Sequence, residues 1–197
     1  MYSSNQKKRR LSFNAPATLA FAALCVVARL LDTLTGGRAN AVIFSVYRAS
    51  LSDPLTWVRC VTHVLGHASW DHLLGNIMYI LLLGPMIEEQ YGPAKVALVI
   101  VAAAAVTGII NMAFFPHIAL LGASGVAFAF ILLASLTVRE NGTVPVTFVL
   151  VALLYLGQQV YQGVFVKDNV SQMAHIAGGA VGSVLGFMLS KKKKDHF

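Results

Sequence analysis

The sequence predicts an all-α, polytopic membrane protein with six transmembrane helices. Of its 197 residues, 57% are hydrophobic and only 12% are charged, and the mean hydropathy is +0.70. A soluble globular domain carries roughly a quarter charged residues. The second observation is the length of the uncharged stretches, since a helix needs about 20 apolar residues to cross a bilayer. Stretches without Asp, Glu, Lys or Arg occupy residues 11–28, 72–87, 96–138, 141–166 and 169–190.

The predicted helices follow these stretches in chain order. The stretch 96–138 is long enough for two helices, and the Phe115-Pro116-His117 interruption divides it because proline ends a helix. We expect a single membrane domain over residues 15–190, between a basic segment at 1–14 and a basic tail at 191–197. The six predicted helices are residues 15–32, 68–87, 94–114, 122–138, 144–163 and 170–190.

The positive charges predict how these helices are oriented. Lys and Arg concentrate on the cytoplasmic side of membrane proteins, and an even number of helices puts both termini on one side. We therefore expect a protein of the cell membrane with both termini in the cytoplasm. The first helix could instead be a cleaved signal peptide, but its removal would leave five helices and put the lysine tail outside. With six helices and both termini in the cytoplasm, the positively charged residues on the inner side are at positions 7–10, 95, 139 and 191–194. Those at or beyond the outer boundary are at positions 29, 38, 48, 59 and 167.

The net charge of +7 does not indicate a nucleic-acid partner, because the basic residues are divided between two tails and form no single patch. Basic tails attract anionic lipid headgroups, so the lipid bilayer is the expected partner. Cys25 lies within a predicted helix and Cys60 in the long connection at about 32–66. Two such separated thiols indicate no disulfide or metal framework. The aromatic residues of that connection favour a position along the outer membrane surface.

Small residues mark the faces where the fourth and sixth helices are expected to touch. Gly178, Gly182 and Gly186 recur every four positions and form a ridge against which another helix can pack closely. The fourth helix offers a thin surface opposite this ridge. Its small residues there are Gly122, Ala123, Gly125, Ala127 and Ala129.

Four polar residues are expected at one depth of the membrane. The second, fourth and sixth helices all start at the outer face, and each rises about 1.5 Å per residue. His72 and Asn76 lie near the start of the second helix, Ser124 near that of the fourth and His175 near that of the sixth. Strongly polar groups inside membrane helices are costly and tend to mark function.

Ser124 and His175 have the chemistry of a catalytic pair. A serine hydroxyl is a weak nucleophile until an adjacent base removes its proton, and histidine is the usual base. Gly178 and Gly182 follow on the same helix face as His175, so the glycine ridge would bring the two helices into contact there. Phe128, one turn after Ser124, could stack on the imidazole in place of an acidic third member.

The same layer offers hydrogen-bond donors for the oxyanion of a tetrahedral intermediate. Asn76 carries a side-chain amide, and His72 lies one turn earlier on the same face. The backbone N–H of Ser124 is a further donor, made accessible by Gly122 and Gly125 on either side. A helix start also leaves N–H groups unpaired and favours negative charge. These residues indicate acyl transfer that uses neither a metal nor an organic cofactor.

The motifs around these residues resemble those of the rhomboid intramembrane serine proteases. "GASG" at Ser124 is similar to the family's G-x-S-G, and "HLLGN" at His72 and Asn76 is similar to its H-x-x-x-N. "AHIAGGAVG" at His175 is similar to its A-H-x-x-G-x-x-x-G. The segments "RCVTHVLGHASWDH" and "GPMIEEQYG" also resemble family motifs, so the resemblance covers about residues 57–186.

The resemblance implies a six-helix rhomboid-like bundle with Ser124 and His175 as its catalytic dyad. It also implies an oxyanion hole formed by His72, Asn76 and the Ser124 backbone. Further implications are a membrane-embedded first connection and a fifth helix that gates lateral substrate access. The implied activity is that of an endopeptidase that cuts transmembrane protein substrates near the outer membrane face through an acyl-enzyme.

Two other classes of function remain open. A proteolytically inactive rhomboid-like protein would bind membrane clients without cutting them, although the intact pair of Ser124 and His175 argues against it. A small transporter would use the polar layer as a solute path, although the sequence shows no broken inverted repeat of the kind expected there.

Three histidines at and before the start of the second helix raise the question of a metal site. No H-E-x-x-H motif accompanies them. We expect His63 and His67 to cap the junction before the helix or to bond its backbone, and Glu88 to bond backbone or solvent. The polar residues of the fifth helix either join helices or line a water-accessible cavity. They are Tyr155, Gln158, Gln159, Tyr161 and Gln162.

Overall fold

The computed structural model describes residues 13–137, 143–165 and 172–189, which form helices joined by turns. This architecture confirms the predicted all-α class. Within these ranges, Val46 and Leu120 form an isolated β-bridge. The helices are α1 (Pro16–Leu34), α2 (Arg38–Val42), α3 (Pro54–Thr62), α4 (Trp70–Tyr91), α5 (Pro93–Phe114), α6 (Ser124–Ala134), α7 (Val146–Phe165) and α8 (Gln172–Leu189), and a 3-10 turn spans His63–Leu65. The two basic tails and the charges at 139 and 167 lie outside the described residues.

Several of these helices are suited to a bilayer, and the chain is a multi-pass membrane protein. Among the described residues, α1, α5 and α8 are long and apolar enough to cross a membrane. The shorter helix α6 and the segment Val146–Gln162 of α7 are also apolar. Helix α4 has 22 residues, but Asp71, His72 and Asn76 in its first two turns make it less apolar. The count of six membrane spans therefore stays a prediction.

The fourth predicted helix ends earlier than its uncharged stretch suggests. The sequence predicts residues 122–138, whereas α6 ends at Ala134 and residues 135–137 form turns. The hydroxyls of Ser135 and Thr137 each donate to the carbonyl three residues earlier, at 2.7 Å. Hydroxyl groups that bond nearby carbonyls compete with the helical ladder and favour a tighter final turn.

Helix α6 lies in the centre of the bundle and touches α4, α5 and α8. Its side chains at Val126, Phe130 and Leu133 are completely enclosed, with 0% of their surface exposed. In its first turn, Gly125 and Val126 are buried, while Ser124, at which α6 begins, is half-buried. The start of α6 therefore lies within the bundle, with Ser124 partly accessible.

The long connection between α1 and α4 folds against α5. Arg59 is 7% exposed, donates from Nε to the Val42 carbonyl at 2.8 Å, and lies 4.7 Å from the Tyr47 ring centroid. Gly108 permits the close approach of this segment, because a Cβ there would lie 2.7 Å from the Cys60 carbonyl oxygen. The connection is thus packed onto the bundle, and its position along the outer membrane surface stays a prediction.

Glu88 joins the end of α4 to the start of α1. Its side chain is 4% exposed. One carboxylate oxygen accepts from the Ala17 N–H at 2.9 Å, and the other accepts from the Thr18 N–H at 2.9 Å and the Thr18 hydroxyl at 2.8 Å. First-turn amides have no partner within their own helix, so Glu88 caps α1 from another helix. The expected bonding of Glu88 to backbone is confirmed.

Replacing Glu88 with alanine should lower the free energy of unfolding by about 3 kcal/mol, because it removes charge-assisted bonds and leaves buried donors unpaired. Thermal unfolding in detergent micelles measures this effect. Glu89 is the matched control, since it is the next residue and is exposed. Glu89→Ala should change stability by less than about 0.5 kcal/mol. Equal destabilisation by the two variants would contradict the assigned role of Glu88.

Candidate active site

Ser124 is the first residue of α6, and a glycine turn leads into it. Gly122 has φ +126°, a backbone conformation that other residues rarely adopt. Its N–H donates to the His63 carbonyl at 3.0 Å, which ties the turn to the first connection. Ser124 is half-buried, while Ala123 and Gly125 on either side are buried.

Two buried histidines of the first connection support this turn. The His67 Nε2 accepts from the Ala123 N–H at 3.4 Å, and its Nδ1 lies 3.1 Å from the Leu65 carbonyl oxygen. His63 contacts the Arg59 carbonyl at 3.3 Å through Nδ1 and the Thr107 hydroxyl at 3.2 Å through Nε2. The expected bonding of both histidines to backbone is confirmed.

Both supporting histidines lie in the connection before α4, where burial favours the neutral form of the ring. Burial lowers the pKa of His63 to about 4. Burial, followed by the neighbouring His72 ring, lowers the pKa of His67 to about 4. A neutral imidazole donates through one nitrogen and accepts through the other. His67 therefore donates to Leu65 through Nδ1 and keeps Nε2 as the acceptor for Ala123.

His72 and Asn76 of α4 face the turn that precedes Ser124. A Cβ added at Gly122 would lie 2.9 Å from His72 Nε2 and 3.9 Å from Asn76 Nδ2. The Asn76 amide donates one hydrogen to the His72 carbonyl at 3.0 Å. A side-chain amide carries two hydrogens, so the second is available to another acceptor. The structure thus brings the predicted donors together beside Gly122.

Helices α6 and α8 touch through their backbones at the glycine ridge. A Cβ at Gly178 would lie 2.0 Å from the Gly125 carbonyl oxygen, and a Cβ at Gly182 would lie 2.1 Å from that of Ala129. A Cβ added at Gly125 would lie 3.4 Å from the Ala174 carbonyl oxygen. Ser124 precedes Gly125 and His175 follows Ala174, so the two residues border one helix contact.

The His175 ring is buried between α6 and α7. Its side chain is 8% exposed, and its centroid lies 4.5 Å from that of Phe128 at an interplanar angle of 47°. Phe128 thus occupies the position against the imidazole that the sequence suggested. The His175 Nδ1 lies 2.8 Å from Gln159 Oε1. Sequence reasoning missed this second contact, although the polar residues of the fifth predicted helix were its signal.

A cavity of about 300 Å³ lies beside Phe128, between α4, α6 and α7. Tyr79, Ile131 and Leu154 contribute one residue from each helix to its wall. The Tyr155 ring also lines it and lies 4.4 Å from Phe128. Gln159 thus joins α7 to a neighbouring helix, one of the two roles that the sequence left open. Tyr155 lines the cavity, and the access of water to it stays a prediction.

Comparisons with known proteins show the family to which this chain belongs. A family model described as the Rhomboid domain matches residues 54–192. The chain is 29% identical over 195 residues to Rhomboid protease GlpG of Haemophilus influenzae. The aligned residues cover 95% of this chain and 98% of that protein. It is 29% identical over 150 residues to Putative rhomboid protease YdcA of Bacillus subtilis, and the aligned residues cover 72% of this chain and 71% of that protein.

A mouse relative, Rhomboid-related protein 2, is 28% identical over 157 residues, which cover 70% of this chain and 52% of that protein. The matched segment of the family model begins at Pro54, where α3 begins, and extends beyond the end of α8. It therefore includes Ser124, His175 and, on α4, His72 and Asn76. This chain belongs to the rhomboid family.

Proposed function

We propose that this protein is an intramembrane serine endopeptidase that cuts transmembrane protein substrates near the outer face of the cell membrane. The observation that carries the proposal is the backbone contact of Gly125 with Gly178, which Ser124 and His175 border. The names of two relatives, Rhomboid protease GlpG and Putative rhomboid protease YdcA, support the same activity.

The proposed reaction begins when His175 Nε2 accepts the hydroxyl proton of Ser124. Ser124 Oγ attacks the carbonyl carbon of the scissile peptide, and the carbonyl electron pair moves to oxygen. Collapse of this intermediate breaks the C–N bond, and His175 returns the proton to the leaving amine. Water, deprotonated by His175, then hydrolyses the acyl-enzyme and restores the Ser124 hydroxyl.

The oxyanion of each tetrahedral intermediate is stabilised by His72, the Asn76 amide and the Ser124 backbone N–H. Such donors stabilise charge that develops in the transition state. The absence of a side chain at Gly122 supports this role, because a Cβ there would lie 2.8 Å from His72 Cε1. Glycine thus leaves room between the donors of α4 and the start of α6.

The substrate reaches the site from the bilayer, past α7. The cavity beside Phe128 supports this route, because Tyr79 and Leu154, which line it, are exposed at the surface of the bundle. The apolar side chains of α7 at Val149, Leu150 and Leu153 are exposed, as expected of a lipid-facing helix. With both termini in the cytoplasm, the starts of α4, α6 and α8 lie toward the outer face, where water can enter.

Cleavage of a single-span substrate in liposomes tests this proposal. Mass spectrometry should detect two fragments whose masses sum to that of the substrate plus one water, with the cut in the outer part of the span. An intact substrate that still copurifies with the protein would instead indicate a client-binding protein. Solute flux that survives Ser124→Ala would indicate a transporter.

A further inference from the structure

Gln159 is a buried polar residue that the dyad mechanism does not use. It lies on α7, and only 2% of its surface is exposed. Its Oε1 is 2.8 Å from His175 Nδ1, within the range of a good hydrogen bond. Burying an amide is costly unless it is hydrogen-bonded. The contact therefore accounts for a glutamine at this enclosed position.

The amide oxygen of Gln159 determines which nitrogen of the imidazole carries the proton. A carbonyl oxygen only accepts hydrogen bonds, so Nδ1 must be the protonated nitrogen when it faces Gln159 Oε1. A neutral imidazole carries one proton, so Nε2 is then unprotonated and can accept a hydrogen bond. That nitrogen can then accept the Ser124 proton. A histidine whose Nε2 is protonated cannot act as that base.

We propose that Gln159 is a positioning residue that holds His175 in the tautomer with the proton on Nδ1. The proposal rests on the proposed protease function. Gln159 occupies the place that a carboxylate has in a soluble Ser-His-Asp triad, where the third member orients the imidazole. A neutral amide performs this role without burying the negative charge of a carboxylate, and such a charge is costly inside a membrane.

The position of Gln159 on α7 gives the hydrogen bond a second consequence. The Ser124 and His175 backbones come from α6 and α8, which touch directly, whereas the acceptor for Nδ1 comes from α7. Tyr155, one turn earlier on α7, packs on Phe128 at 4.4 Å, and Phe128 packs on the His175 ring at 4.5 Å. The orientation of the imidazole therefore depends on α7, which contributes both the Gln159 oxygen and the Tyr155 ring that packs on Phe128.

Gln159→Met tests the proposal, because methionine keeps the length of the side chain and removes the acceptor. We expect kcat to fall about 10- to 100-fold, as for loss of an oriented general base, while KM changes less than about two-fold. Gln159→Glu keeps an acceptor facing Nδ1 and should restore most of kcat. Val160→Met is the control, since Val160 is the next residue and is 58% exposed.

Histidine ring chemical shifts in isotope-labelled protein provide a readout that does not depend on activity. The wild type should show His175 with the proton on Nδ1, and Gln159→Met should shift the ring toward the other tautomer. Unchanged kcat and an unchanged tautomer in Gln159→Met would overturn the inference while leaving the protease function intact. An inactive wild type would refute the protease function, and the chemical shifts would still decide the role of Gln159.

Discussion

Replacing Ser124 with alanine should reduce cleavage of a reconstituted single-span substrate to background, a fall of at least about 10³-fold. In serine proteases, loss of the nucleophile leaves only the rate enhancement from binding and the oxyanion donors. Alanine is small and a good helix former, so the start of α6 should keep its structure. The measurement is the initial rate of fragment release at matched protein concentration.

Ser135 supplies the control for this experiment, because it directly follows the last residue of α6 and lies eleven residues after Ser124. Its hydroxyl donates to the Leu132 carbonyl. Ser135→Ala should therefore retain the wild-type cleavage rate within about two-fold, as surface and helix-end changes are usually mild. Equal loss of activity in the two variants, or retained activity in Ser124→Ala, would contradict the assignment of the nucleophile.

Adding a single methyl group at Gly178 should have the second largest effect. The new Cβ would lie 2.0 Å from the Gly125 carbonyl oxygen and 2.7 Å from the Gly125 Cα. Both atoms are backbone, so α6 and α8 must move apart. A displacement of about 1 Å can cost 10²-fold in rate. Gly178→Ala should therefore lower the cleavage rate by about 100-fold and also lower the melting temperature in detergent.

Gly157→Ala is the matched control for the packing prediction. Gly157 also lies within a helix, α7, but a Cβ there would meet nothing within 4 Å. Because alanine favours helix over glycine by about 1 kcal/mol, this variant should be at least as stable as the wild type and equally active. Wild-type activity in Gly178→Ala would contradict the claim that backbone contact between α6 and α8 sets the site geometry.

The helices were predictable because, in such an apolar chain, about 20 successive residues without charge are typical of a membrane helix. The third predicted helix, 94–114, matches α5 at Pro93–Phe114 to within one residue. The end of α6 was less predictable, since Ser135 and Thr137 are uncharged and do not interrupt an apolar stretch. Their hydroxyl bonds to nearby carbonyls become apparent only in the structure.

The meeting of α6 and α8 was predictable from the four-residue spacing of small residues. That spacing puts Gly178 and Gly182 on one helix face, and a face without side chains packs against another backbone. The partner of His175 Nδ1 could not be predicted in the same way. Helical periodicity identifies the face that a residue occupies, but the crossing of α7 over α8 decides which of its glutamines reaches the imidazole. The same limit applies to His67, whose bond to Ala123 joins distant segments.

Three of the site residues predicted from the sequence lie at or beside the turn at Gly122. His72 and Asn76 approach Gly122 from α4, and Ser124 follows it by two residues. His175 borders the adjacent contact between α8 and α6. The proposed catalysis therefore requires that His175 activates the Ser124 hydroxyl.

Labelling by a fluorophosphonate probe tests that claim most directly, because the probe reacts with a serine whose proton a neighbouring base removes. In the folded wild type, mass spectrometry should identify the adduct on Ser124, and His175→Ala should abolish it. A catalytically active wild type that carries no adduct on Ser124, or undiminished labelling of Ser124 in His175→Ala, would contradict the account.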